Sequence, residues 1–147
     1  MRYANLVLFS CLGLQAMVAV AQDKKPDFTG KWQFDSGKSE VKSGKLSSLD
    51  LSIEQKGTSI NIVKTTKSGG KESSTQFTCT TDGKDCDAKG TKVSLWFDGA
   101  SLVEMDVSDA LVVRYKLTLG ADGKSLSVAV TYISPQAEAD AITLGKI

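Results

Sequence analysis

The chain has 147 residues with 18 Lys and Arg, 17 Asp and Glu, and no His. This length suits one domain with a single core. Proteins that bind nucleic acid or anionic membranes usually carry a clustered basic excess, whereas Lys alternates here with Asp and Glu along the whole chain. We therefore expect neither nucleic acid nor a membrane surface as a partner.

The first 21 residues have the organisation of a secretory signal peptide. A short basic region with Arg2 precedes an apolar run over residues 6–20, and Ala19-Val20-Ala21 supplies an A-x-A cleavage pattern. The run is shorter than the ~20 residues that a spanning helix needs, so stable membrane insertion is not expected. It is also too short before Cys11 for a lipid-attachment site. The sequence predicts a signal peptide over residues 1–21, a mature domain over 22–147, and export to the periplasm or the exterior.

The mature chain begins with strand signals and a long polar stretch. Trp32 and Phe34 share one face of a first strand by the alternation of a β-strand. Residues 36–48, rich in Gly and Ser, predict a mobile loop or a short helix. Apolar and polar residues then alternate over 49–54, and a turn at residues 56–58 leads into a strand over 59–63.

A hairpin is predicted over residues 73–88 with its turn at Asp82-Gly83, since Asp-Gly favours a two-residue turn. This register places Cys79 opposite Cys86, where the Cα atoms lie about 5.5 Å apart, within reach of a disulfide. Free thiols and a metal site are the alternatives. The mature chain has no His and no third Cys to complete a zinc site. We expect a disulfide and no metal.

The rest of the chain indicates strands over residues 93–97, 102–107, 111–119, 126–132 and 141–147. The clearest is 111–119, in which Val113, Tyr115 and Leu117 fall on one face and Arg114 on the other. Short turns between consecutive strands force antiparallel pairing. The sequence therefore predicts an all-β protein, an antiparallel up-and-down β-barrel of about 8–9 strands.

The first strand carries a family resemblance. Gly30-Lys31-Trp32, within Phe28 to Trp32, resembles the opening of the exported bacterial lipocalin-like proteins of the calycin type. The resemblance implies a structural role for Gly30 and Trp32, with Trp32 closing the base of a barrel and a ligand entering at the opposite end. Other lipocalin signatures are missing: no Thr-Asp-Tyr segment follows, and Arg114 does not match the late Arg of the family. With Trp96 as the only further Trp, biotin binding of the avidin kind is disfavoured.

In a barrel of about eight strands, core positions and ligand-lining positions are the same. Residues assigned to the interior by alternation are therefore the candidate ligand-binding residues. They are Phe77, Leu95, Met105, Val113, Tyr115, Val128 and Tyr132. Trp96 has the opposite parity from Leu95 and is a candidate surface residue.

The sequence offers no catalytic constellation. It has no His for general-base chemistry and no G-x-S-x-G motif, and Glu104 and Asp106 are interpreted as solvated charges that could pair with Arg114 across the sheet. We expect no enzyme activity and no cofactor. The leading hypothesis is an exported barrel that binds a small apolar molecule in its interior. The alternatives are a protein-interaction module, such as a barrel-type protease inhibitor acting through residues 22–25 or the loops, and a structural envelope protein with a filled core.

Overall fold

The computed structural model describes residues 24–147, so the predicted signal peptide over 1–21 lies outside the described residues. The described part consists of ten β-strands joined by turns and loops, and it contains no helix. The strands are β1 Gly30–Phe34, β2 Ser48–Lys56, β3 Ser59–Ser68, β4 Lys71–Thr80, β5 Cys86–Ala88, β6 Thr91–Asp98, β7 Ser101–Val107, β8 Val112–Leu119, β9 Ser125–Ser134 and β10 Asp140–Lys146. No helix long and apolar enough to cross a membrane occurs among these residues.

All ten strands belong to one antiparallel sheet in the order β4-β3-β2-β1-β10-β9-β8-β7-β6-β5. Every pair of consecutive strands except β4 and β5 is adjacent, and β1 pairs with β10, so the sheet curls into a barrel that is open between its edge strands β4 and β5. The prediction of an all-β antiparallel barrel is confirmed. The structure has ten strands, one or two more than the predicted 8–9.

Strand alternation sorts the side chains into an interior and an exterior set. In β8 the buried Val113, Tyr115 and Leu117 alternate with the exposed Arg114 and Lys116. The same alternation in the other strands gives a core of 23 buried residues. The barrel is therefore held together by one continuous apolar interior, consistent with a single domain.

One end of the barrel, called here the Trp32 end, is closed by aromatic packing. Trp32 is 2% exposed and donates a hydrogen bond of 3.0 Å from Nε1 to the carbonyl of Phe28, which is fully buried. Lys146 Nζ lies 5.5 Å from the Trp32 ring centroid. A Cβ at Gly30 would lie 2.9 Å from Lys146 Cε, and the φ of 153° also favours glycine there. The G-x-W motif thus brings the first strand, a Trp and a Lys of the last strand into close contact.

The segment between the two cysteines differs from the predicted hairpin. β4 pairs with β3 alone, and β5 pairs with β6, so β4 and β5 do not form a ladder. Residues 81–85 instead cross from one sheet edge to the other, where Asp82 forms a β-bridge with Trp96. The disulfide Cys79–Cys86 is confirmed, with the Cα atoms 5.6 Å apart. It joins the two edges of the sheet and closes the barrel near the Trp32 end.

The opposite end, called the loop end, carries residues 35–47 and the turn over 135–139. Residues 35–47 contain no helix, and they are fastened to β10 rather than free as the mobile-loop prediction implied. Glu40 forms a β-bridge with Ala141, and Ser39 Oγ accepts a hydrogen bond from the Thr143 amide at 2.9 Å. The loop therefore packs along the rim of the barrel as part of the fold.

Candidate functional site

A charged cluster lies inside the barrel. Lys64 on β3 has the same parity as the buried Ile60 and Ile62, and its side chain therefore points inward. Its ammonium reaches across the barrel to β7, where Nζ lies 2.5 Å from Glu104 Oε1 and also donates to Asp106 Oδ2. Lys64 is 7% exposed and Glu104 is 1% exposed. One ammonium and two carboxylates thus meet in the interior.

Two aromatic faces complete the surroundings of the ammonium. Lys64 Nζ lies 4.2 Å from the ring centroid of Tyr115 on β8 and 5.8 Å from that of Phe77 on β4. Both distances allow attraction between a cation and the electron-rich face of an aromatic ring. The four side chains around Lys64 come from β4, β7 and β8, so the cluster exists only in the closed barrel.

Burial and the charge of Lys64 shift the pKa values of Glu104 and Tyr115 in opposite directions. Burial raises the pKa of Glu104 to about 8; Lys64 opposes that rise and Asp106 adds to it. Burial lowers the pKa of Lys64, but attraction to Glu104 and the other acidic groups outweighs it, and the net shift is upward. Burial raises the pKa of Tyr115 to about 12. Near neutral pH, Lys64 is charged and Tyr115 is protonated.

The loop end has a second polar centre at Asp140, the first residue of β10. Its carboxylate accepts hydrogen bonds from the amides of Lys42 and Ser43, from Ser43 Oγ at 2.6 Å and from the Tyr132 hydroxyl at 2.8 Å. Burial alone would raise the pKa of Asp140, but these hydrogen bonds outweigh it and the pKa is lowered. Asp140 therefore holds the loop over 35–47 against the interior residue Tyr132.

Asp106 is the member of the charged cluster nearest the loop end. Its side chain is 17% exposed, against 2% for that of Glu104. Its Oδ2 is held by Lys64, whereas its Oδ1 is buried and has no hydrogen-bond partner. A buried acceptor without a donor costs about 1–3 kcal/mol, so this atom calls for a structural or functional reason.

Most predicted ligand-binding residues lie in the interior. Phe77, Leu95, Val113, Tyr115, Val128 and Tyr132 are all buried on the inner face, as alternation predicts. The placement of Met105 among them is wrong. Met105 pairs with Ser94 and Arg114 on the outer face, because Glu104 and Asp106 take the inner parity of β7. A ligand-binding role for the other six remains a prediction.

The charged residues were interpreted wrongly from sequence. Glu104 and Asp106 are not solvated, and Arg114 lies on the outer face where it cannot pair with them. Lys64 was missed because the predicted strand ended at Val63, whereas β3 continues to Ser68. The parity of Ile60 and Ile62, extended by two positions, would have placed Lys64 inside.

The interior of the barrel is filled by side chains. Leu49, Leu95, Leu126 and Leu144 are each 0% exposed, so no water-sized space reaches them. The five best-formed pockets of residues 24–147 lie on the outer surface or at the rims. Among them is an open groove of about 700 Å³ beside β4, of which Phe77 forms part.

Comparison with known proteins supports the fold. No protein-family model matches the chain, and no curated protein does. Among solved structures, the chain is similar to a point mutant of the fluorescent protein UnaG, with a TM-score of 0.60 and 18% identity over 81% of this chain and 95% of that one.

Two further solved structures share the fold. One is a fatty acid transporter, REP1-NXSQ, with a TM-score of 0.58 and 13% identity over 81% of this chain and 95% of that one. The other is fatty-acid-binding protein 1 of Echinococcus granulosus, with a TM-score of 0.58 and 14% identity over 82% of this chain and 97% of that one. At these identities the likeness concerns the fold alone, an antiparallel β-barrel.

Proposed function

We propose that this protein binds a small, largely apolar molecule at the loop end of its barrel, with the polar group of that molecule at the Lys64–Glu104–Asp106 cluster. The observation that carries the proposal is the buried charged cluster itself. A buried ion pair is often no more stabilising than apolar residues of the same volume, because desolvation offsets the attraction. Charged groups with shifted pKa values in an apolar interior are more typical of binding sites than of structural cores.

Further support comes from the residues beside Asp106. Along the inner face, Asp106 pairs with Val93 on β6 and with Val113 on β8, and Val113 pairs with Tyr132 on β9. This row offers apolar surface on both sides of one polar group. Such a lining, mostly apolar with a few placed polar groups, is typical of small-molecule sites. The names of the similar fatty acid transporter and fatty-acid-binding protein are consistent with a binding role for this fold.

Methyl groups on the two faces of the sheet provide the test. The protein would be labelled at its Val and Ile methyl groups and titrated with 1-hexanol, hexylamine and hexanoate in separate NMR experiments. We expect at least one compound to shift the interior methyls of Val93 and Val113 at a saturable concentration, with the exposed Val107 and Ile133 as controls. If none of the three shifts the interior methyls, the barrel does not bind ligands of this kind.

A structural barrel with a filled core is the second candidate. The specific observation in its favour is the near-complete mutual burial of the interior leucines, which leaves no deep cavity among the residues that the structure describes. The same titration separates the two functions, since a structural barrel would show shifts on the exposed methyls only or on none.

We also propose that residues 1–21 direct export and are removed. The Cys79–Cys86 disulfide supports this, since disulfides form and persist mainly in oxidising compartments. Intact-mass measurement of the protein recovered from its host tests the proposal. A mass that begins at Gln22 is expected, and a mass that begins at Met1 would contradict it.

A further inference from the structure

Three interior side chains together hold the reactants for an amide bond. Lys64 Nζ is in hydrogen-bond contact with Asp106 Oδ2, so the carboxyl carbon Cγ of Asp106 lies one bond beyond the contacted atom. The same nitrogen lies 2.5 Å from Glu104 Oε1. A primary amine and a carboxyl group are the two reactants of amide formation. Well-oriented groups held in contact within one molecule reach effective concentrations of about 10⁵–10⁸ M.

The protonation of the cluster favours this reaction. Burial raises the pKa of Glu104 to about 8, and a hydrogen bond between its carboxyl and Asp106 adds to the rise. Near neutral pH the cluster therefore holds an ammonium, a carboxylate and a carboxylic acid, with no net charge. Transfer of one proton from Nζ to Asp106 Oδ2 along their hydrogen bond gives a neutral amine beside a neutral carboxyl. Amide formation from this pair also removes the cost of holding an ion pair out of water.

The surroundings of Lys64 keep the reactants in an apolar environment. The ring centroids of Tyr115 and Phe77 lie 4.2 Å and 5.8 Å from Nζ, and Lys64 and Glu104 are both buried. Burial acts against the charged form of an amine, which brings the reactive neutral form within reach. Amide formation releases one water molecule and hydrolysis consumes one. A dry interior therefore favours the amide.

We propose that Lys64 and Asp106 form an intramolecular amide bond, with Glu104 as the group that transfers protons. Nζ attacks Cγ of the protonated Asp106 carboxyl and forms the N–C bond, while Glu104 gives a proton to the carboxyl oxygen and takes one from the nitrogen. One C–O bond of Asp106 then breaks, and its oxygen leaves as water. The products are a secondary amide, one water molecule and an unchanged Glu104 carboxyl, so atoms and protons balance.

The amide would join two parts of the sheet that no ladder of hydrogen bonds connects. β3 lies next to the edge strand β4, and β7 is separated from the other edge strand β5 by β6 alone. The Cys79–Cys86 disulfide spans the same opening near the Trp32 end. Lys64 lies further along β3 than Ile60, which pairs with Cys79. The amide is therefore a second covalent closure of the barrel, placed further toward the loop end.

This inference goes beyond the proposed function and does not depend on it, because the bond needs no ligand. The linked cluster keeps an amide and the Glu104 carboxyl as polar groups, so either proposal can fail without the other. Molecules in which the bond has not formed keep the ion pair of Lys64 with the acidic groups. They are the form in which the stability of cluster variants is to be compared.

Mass spectrometry of the wild-type protein tests the bond. After reduction of the disulfide, we expect an intact mass lower by one water molecule than the sequence requires. Cyclisation at an Asp-Gly pair such as Asp82-Gly83 also loses water, so tryptic digestion must locate the loss. Trypsin cleaves after Lys and Arg but does not cleave after an acylated Lys64. The expected product is a branched peptide that joins residues 57–67 to residues 93–114.

The exposed pair of Lys116 and Asp98 is the internal control. Lys116 Nζ lies 3.1 Å from Asp98 Oδ2, and both side chains are exposed. In water the ammonium stays charged, so we expect no peptide in which these two residues are joined. A wild-type protein of full mass with ordinary cleavage after Lys64 would overturn the proposal. A loss of water located at any other position would overturn it as well.

Variants assign the roles within the cluster. Lys64→Arg keeps a cation but removes the amine, and we expect no linked protein. Glu104→Gln keeps both reactants, and we expect its linked fraction to fall about tenfold or more, because positioned proton transfer contributes about 100-fold or more to a rate. Glu54→Gln is the matched control, since Glu54 is exposed and pairs with Lys56 at 2.9 Å; it should link as the wild type does.

The variants and the wild-type protein answer different parts of the proposal. A folded Glu104→Gln protein that is linked as fully as the wild type would show that Glu104 does not transfer the protons. A Lys64→Arg protein that still yields the branched peptide would show that Lys64 is not the amine. The wild-type mass and digest need no substitution and decide whether the bond exists even if a variant does not fold.

Discussion

The two ends of this barrel are built in opposite ways. The Trp32 end is closed by Phe28, Trp32 and a tilted contact between the Phe28 and Phe97 rings at 6.3 Å, with no buried charge among them. Toward the loop end the interior holds Lys64 and Glu104 among the apolar residues. Burial of aromatic surface stabilises a fold, whereas burial of charge costs desolvation energy. The first end therefore accounts for stability, and the second calls for a functional explanation.

The largest loss of stability is expected from the Trp32 end. Trp32→Ala should lower the free energy of unfolding by about 3–5 kcal/mol, because it leaves a cavity under Phe28 and removes the Nε1 hydrogen bond. Urea unfolding measures the change. Trp96→Ala on the outer face is the control and should cost much less, since Trp96 is only partly buried. Equal losses would mean that Trp32 is not the closing residue of the barrel.

A slightly smaller loss is expected from the charged cluster. Lys64→Met should lower the free energy of unfolding by about 3 kcal/mol, because the acidic groups of Glu104 and Asp106 lose their buried cationic partner. The triple variant Lys64→Met, Glu104→Leu, Asp106→Leu should recover wild-type stability or exceed it, since no buried charge remains in the cluster. Chemical denaturation of both proteins compares them. A triple variant as unstable as the single one would show that the cluster is needed for stability.

The disulfide should contribute about 2 kcal/mol, because its closure of a short covalent loop restricts the unfolded chain. Replacement of Cys79 and Cys86 by Ser removes this restriction. It also releases the two edges of the sheet near the Trp32 end. Hydrogen exchange should rise in β4 and β5 and stay unchanged in β8 and β9, which lie away from the sheet edges. Uniformly faster exchange across all strands would contradict a local role in closure.

Changes of pH should act with opposite signs at two carboxylates. The pKa of Glu104 is raised from 4.5 to about 8, so its stabilising contribution is complete below about pH 4.5 and is lost as the pH rises through 8. The pKa of Asp140 is lowered, so its contribution is present above pH 3.8 and is lost at more acidic pH.

Both expectations are tested by measuring the thermal unfolding temperature at a series of pH values from below 3.8 to above 8. Glu104→Gln should flatten the decline in stability as the pH rises toward 8, and Asp140→Asn should reduce the loss of stability at acidic pH. A Glu104→Gln protein that keeps the decline would assign it to another group.

The sequence was a good guide to the strands and a poor one to their long-range contacts. Alternation identified the inner face of β8 and the closing strand β10, and the G-x-W motif identified the end that Trp32 closes. The predicted hairpin turn at Asp82-Gly83 was wrong, because this segment crosses to the other edge of the sheet, where Asp82 forms a β-bridge with Trp96. The polar loop over 35–47 gave no sign of its attachment to β10, since those hydrogen bonds join residues about a hundred positions apart.

By itself, the sequence determined that the fold is an all-β barrel, that Trp32 is buried, and which residues of most strands share a face. These properties depend on local alternation, which can be recognised from consecutive residues in the sequence. Only the tertiary structure decided that Lys64 meets Glu104 and Asp106, which lie 40 and 42 residues further along the chain. Alternation fixes which residues share a face, but only closure of the barrel decides which face is interior and which charges meet across it.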